Sequence, residues 1–146
     1  MVSRRTVAWI LVLFVLAALP AAAGHKDEPD KVVVQHILIG FKKSVPNKKL
    51  DRKREQARVL ALDLFRRAQE GEDFDALVKE YTDDTYPGIL LLTNEDAPVL
   101  PEATKRSDVV PRFGDVSFEL EIGEVGLAKY HAALSPFGWH IIKRLE

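Results

Sequence analysis

Residues 32–39 read Val-Val-Val-Gln-His-Ile-Leu-Ile, and this stretch constrains the fold more than any other. It is rich in β-branched residues and almost continuously apolar. Such a run suits a central strand buried on both faces rather than a strand with one wet side. A histidine, His36, sits in the middle of it. A histidine in an apolar strand is ordinarily a core residue with a satisfied hydrogen bond, so His36 alone says little about chemistry.

The rest of the chain supplies layers for that strand. Residues 40–50 read as a loop with four lysines, and Asp51 is placed to cap the helix that follows. There Ala57, Leu60, Ala61, Leu64, Phe65 and Ala68 recur at steps of three and four, which predicts one apolar stripe on a charged helix. Gly71 ends that helix. Asp73 caps a second, shorter one whose inner face is Phe74, Leu77, Val78 and Tyr81. Residues 82–88 form a turn and Ile89 to Leu92 a second strand. The polar stretch 93–108, with Pro98 and Pro101, reads as a long surface loop. Pro111 fits the first turn of a third helix, with Phe113, Val116, Ser117 and Leu120 inward and Gly123 as the stop. Val125 to Tyr130 reads as a third strand. Ser135-Pro136 breaks the chain, and a last strand starts at Trp139. The order strand, helix, helix, strand, helix, strand, strand predicts an α+β fold, a small mixed sheet covered by helices.

The first 23 residues stand apart. Arg4 and Arg5 precede an apolar run from Val7 to Leu19, followed by Pro20 and Ala21-Ala22-Ala23. This is the pattern of a secretory signal with a cut after Ala23. The run is short against the roughly 20 apolar residues of a spanning helix, although an uncleaved N-terminal anchor is the alternative. Residues 24–31 are then a flexible lead-in and 32–146 one domain. Of 21 basic and 22 acidic residues the signal holds two basic ones, so the remainder carries 19 against 22, a net charge of −3. Such a balance makes no case for nucleic acid. The chain has no cysteine, which excludes disulfides, thiol catalysis and thiolate metal sites. The four histidines lack zinc-ligand spacing, and no cofactor is expected.

Four segments together resemble the motifs of the parvulin family of peptidyl-prolyl cis/trans isomerases. They are the strand 34–39 around His36; 71–84, where a helix leads into Tyr81-Thr82-Asp83-Asp84; Val110-Pro111-Arg112-Phe113 with Ser117-Phe118 and Gly123-Glu124-Val125; and Phe137-Gly138-Trp139-His140-Ile141-Ile142-Lys143. The resemblance spans about residues 32–145. It implies a βα3βαβ2 fold with a mostly antiparallel four-stranded sheet, a further helix falling in the 83–86 turn. It also implies isomerisation of Xaa-Pro bonds in unfolded or partly folded exported polypeptides, with no stable membrane insertion. Carried over position by position, His36 and His140 are paired imidazoles at the floor of the site, and Asp84 faces the imide. Leu90, Val109 and Phe113 form the proline pocket, and Ser135 and Phe137 the wall beside His140. The family's Gly-Gly-Asp-Leu-Gly stretch here reads Pro87-Gly88-Ile89-Leu90-Leu91, and residues 93–108 and 127–134 are longer than usual. Oligomeric state is not implied.

Each assignment has a plainer reading. Asp84 serves equally as a turn residue, and Phe113 as ordinary helix-face core. The basic run Lys42, Lys43, Lys48, Lys49, Arg52, Lys53 and Arg54 falls where some parvulins read an acidic group before proline, but it reads here as a solvated loop. Isomerisation needs no proton transfer, so the histidines are expected as a hydrogen-bonded pair that shapes the site. A parvulin-fold module that binds client segments without isomerising them is the second hypothesis, favoured by the altered glycine stretch and the longer loops.

Overall fold

Strand β1 (Lys31–Ile39) occupies the middle of a five-stranded sheet in the computed structural model, which describes residues 28–146. The signal segment and residues 24–27 lie outside them. On one edge β1 pairs antiparallel with β2 (Ile89–Thr93), on the other with β5 (Trp139–Arg144). Strand β4 (Val125–Ala128) extends the sheet beyond β5, and β3 (Thr104–Lys105) lies parallel beside β2. The helices are α1 (Arg54–Gln69), α2 (Phe74–Tyr81) and α3 (Pro111–Glu119).

The two-sided burial of β1 has a direct consequence. Side chains alternate along a strand, so Ile37 and Ile39 point to one face, where they join Ala57, Ala61, Leu64, Phe74, Leu77, Trp139 and Ile141 under α1 and α2. Val32 and Val34 point to the other, packing with Leu92, Phe113, Phe118, Ala128 and Ile142 under α3. Each large aliphatic side chain fully buried this way contributes about 1.5–3 kcal/mol. His36 shares the α3 face with Val34.

Several expectations change in detail. The α+β class holds, with five strands rather than four: β3 is only two residues long and sits inside the stretch read as loop, followed by a 3₁₀ turn at Arg106–Asp108. No helix forms in the 83–86 turn. Asp51 does not cap α1. Lys53 is the N-cap, and its N–H donates to the Gln56 side chain at 2.7 Å. Asp73 caps α2 as expected, accepting from the Ala76 N–H at 3.1 Å. Residues 28–30, at the end of the lead-in, lie against Asn94, whose N–H donates to the Asp30 carbonyl at 2.8 Å. No helix among the described residues is long and apolar enough to cross a membrane.

Beyond Gln35, β1 outruns β2, and the Tyr81–Gly88 turn takes over that edge. The Leu38 N–H donates to Thr82 Oγ1 at 3.1 Å and the Asp83 N–H to the Leu38 carbonyl at 2.8 Å. The Gly40 N–H donates to Asp83 Oδ2 at 2.7 Å, and Arg52 donates to the same oxygen. The Tyr-Thr-Asp sequence is therefore a backbone clamp. It satisfies groups that would otherwise be orphaned inside the fold and delivers the next residue, Asp84, to the α3 side.

Candidate active site

The register explains how two histidines more than a hundred residues apart meet. His36 lies opposite Ile142, and Leu38 opposite His140. His36 and His140 are thus diagonal neighbours on one face of an antiparallel pair, within side-chain reach. Their ring centroids are 5.8 Å apart. Phe113, near the start of α3, closes the triangle with edge-on contacts of 5.1 Å to His36 and 5.3 Å to His140. All three are at least 95% buried.

Above these rings opens a cleft of about 200 Å³. Leu90, Val109, Phe137 and Asp84 line it, as do two residues the sequence reading left out, Val110 and Asp108. Seven of the eight anticipated site residues therefore converge. The exception is Ser135. It is fully buried, its hydroxyl donates to the Gly138 carbonyl at 3.0 Å, and it is absent from the cleft lining. It braces the turn that carries Phe137.

His36 is held at both ends. Nδ1–H donates to the Gly88 carbonyl at 3.0 Å, the same oxygen that takes the His36 backbone N–H. Nε2 lies 3.2 Å from Asp84 Oδ2. Both partners are acceptors, so the two contacts are satisfied together when the ring carries both protons. The hydrogen bond from His36, with that from the Thr85 N–H, holds the Asp84 carboxyl below the usual carboxylate range against partial burial. Gly88 has φ of 66°, and a Cβ there would lie 2.8 Å from the His36 carbonyl oxygen. Gly88, the glycine that remains where the family carries a pair, thus supplies the bare α-carbon that this close approach to β1 requires.

His140 differs. Neither ring nitrogen has a hydrogen-bond partner among the described residues, so the expected bond between the two imidazoles is not made; they touch as rings only. Burial, reinforced by the nearby His36, pushes the His140 imidazole down to about 3, so it is neutral at ordinary pH. The native state then declines a proton that the unfolded chain accepts below about 6.5. The stabilisation is complete above that value and declines as pH falls towards 3, by up to about 1.4 kcal/mol per pH unit. Urea unfolding at a series of pH values between 6.5 and 4 is expected to show this slope, and His140→Leu to flatten it. An unchanged slope in the variant contradicts the assignment.

Among the described residues no group of three or more His, Asp or Glu side chains is arranged to hold a metal ion. What the arrangement can do is grip a small apolar ring over a dry floor, with a neutral imidazole and a carboxylate at its side.

The family model described as a PPIC-type PPIase (peptidyl-prolyl isomerase) domain matches residues 18–146. A chaperone SurA from Chromohalobacter salexigens is 34% identical over 134 residues, covering 89% of this chain and 27% of that protein. A foldase protein PrsA from Caldanaerobacter subterraneus is 29% identical over 119 residues, covering 82% and 30%. The chain thus spans less than a third of these relatives' lengths. Among solved structures, TbPIN1 superposes with a TM-score of 0.59 at 22% identity over 80% of this chain and 98% of its own. The peptidyl-prolyl isomerase ESS1 from Candida albicans gives 0.57 at 20% identity over 80% and 63%. These two share the fold. With the family motifs present from β1 to β5, the chain belongs to the PPIC-type peptidyl-prolyl isomerase family.

Proposed function

We propose that this chain catalyses cis/trans isomerisation of Xaa-Pro bonds in unfolded or partly folded exported polypeptides. The observation that carries the reading is the floor of three rings, His36, Phe113 and His140, beneath a cleft of about 200 Å³. Sites for drug-sized ligands run to about 300–1,000 Å³, so this one suits a single pyrrolidine ring.

The chemistry asks little of the protein beyond differential binding. Rotation about the imide is slow because amide resonance must be broken, a barrier of about 18–20 kcal/mol. The twisted form has lost that resonance and is less polar than either planar form. An apolar cleft that removes water from the imide therefore favours it. In the proposed complex Leu90, Val109 and Phe113 hold the ring, Phe137 walls it, and the neutral His140 ring forms part of the floor beneath it. His36 and Asp84 form a charge-assisted pair at the edge that fixes the floor. No bond is broken and no proton need move.

The relatives named as chaperone and foldase support polypeptide clients. Export rests on the N-terminal pattern from Arg4 to Ala23. Proton exchange spectroscopy on an Ala-Pro peptide tests the activity. Catalytic amounts of the protein are expected to produce cis–trans exchange peaks far faster than the uncatalysed tens of seconds. Peptide binding without any acceleration would replace this reading with that of a holding module.

A further inference from the structure

The cleft has a charge character that its apolar walls conceal. Among the described residues that line it, the carboxylates are Asp84 and Asp108, and there is no lysine or arginine. Asp84 is already engaged by His36 and the Thr85 N–H. Asp108 is exposed at the end of the 3₁₀ turn, next to pocket residue Val109, and makes no hydrogen bond or ion pair among the described residues. The two neighbouring arginines are directed elsewhere. Arg106 bonds Glu28, Asn94 and Asp115, and Arg112 donates to the Lys129 carbonyl. The basic loop after Gly40 reaches the site's wall through Ser44, whose hydroxyl donates to the Phe137 carbonyl, and its lysines are not among the residues that line the cleft. The ring of His140, buried to 95%, lines the floor of the same cleft, with both nitrogens buried and without a protein partner among the described residues. A bound peptide therefore meets an apolar floor and one uncommitted negative charge, Asp108, at the rim.

We propose that Asp108 is a specificity-determining residue that makes the cleft favour lysine or arginine beside the proline and disfavour glutamate or aspartate there. The inference rests on the isomerase reading for its location, not for its sign. A cation brought beside Asp108 gains a solvent-screened attraction worth about two- to five-fold in affinity, and an anion loses as much. The effect fades in about 1 M salt, where the screening length is roughly 3 Å.

The test uses Lys-Pro, Ala-Pro and Glu-Pro peptides of otherwise identical sequence, with a matching set in which the charged residue follows the proline. Amide-shift titration gives Kd, and exchange spectroscopy gives kcat/KM. For the intact protein the expected order is Lys over Ala over Glu in at least one set. Asp108→Asn should bring the Lys-to-Glu ratio towards one, and Asp108→Lys should invert it. Equal affinities for all peptides, or a ratio that survives Asp108→Asn, overturns the proposal; a loss common to every peptide leaves the ratio intact and overturns it too. Failure of the isomerase reading looks different: no exchange is accelerated, while the Kd order still reports on Asp108.

Discussion

Phe113→Ala is expected to lower kcat/KM on Ala-Pro peptides by about 100-fold, the scale of loss when a reacting group is no longer held in position. The ring touches both floor imidazoles edge-on and lines the cleft, so its removal widens the slot and wets the floor. The variant also loses core, because Phe113 belongs to the cluster under α3, and a buried Phe→Ala change costs about 3–5 kcal/mol. Phe113→Leu separates the two effects. It keeps most of the apolar volume, so the fold should survive with a loss of about 1.5 kcal/mol or less, yet it lacks the flat face and the edge-on contacts. A folded Phe113→Leu protein with full activity would show that bulk apolarity, not the ring, is what the site requires.

Gly138→Ala is expected to have the largest effect on stability. Gly138 adopts φ of 148°, and a Cβ there would come within 2.1 Å of the Ile39 carbonyl oxygen and 2.8 Å of its carbon. Both are backbone atoms of the central strand and cannot swing aside. The neighbours are Phe137 on the cleft wall and Trp139 at the start of β5, so the strand pair that brings His140 towards His36 must separate locally. Overpacking of this kind costs about 1–3 kcal/mol where side chains can shift, and more where only backbone can. Against a total stability of about 5–15 kcal/mol, thermal unfolding should start many degrees lower, with activity lost in proportion. Gly71→Ala is the control: its φ of 92° is also left-handed, but nothing lies within 4 Å of the added methyl, so only the smaller conformational cost of about 1–2 kcal/mol applies.

How much of this was legible follows from which signals are local. The helix stripe of α1 and the cap at Asp73 depend on neighbours in sequence and were readable. The near-continuous apolar run of β1 was likewise readable as a strand buried on both faces. Its meeting with His140 was not contained in either strand, because a register is a property of the pair; the family motifs carried that information. Asp108 was missed because the 93–108 stretch is polar and broken by prolines, and a two-residue strand such as β3 has no period to detect. Ser135 lies outside the cleft lining for a reason that sequence does not carry. The family pattern puts Ser135 on the wall, but which way a side chain turns depends on the folded loop, and here its hydroxyl turns to the Gly138 carbonyl. The shift of the α1 cap from Asp51 to Lys53 was hidden likewise, because Arg52 is drawn to the Asp83 clamp.

Isotope-filtered nuclear Overhauser contacts between an exchanging Ala-Pro peptide and the labelled protein would locate the reacting ring directly. Pyrrolidine protons should show cross-peaks to the Phe113 ring and to the methyls of Leu90 and Val109, while exchange proceeds. Contacts confined to another surface, with exchange still accelerated, would mean that the three-ring floor is not where the bond turns.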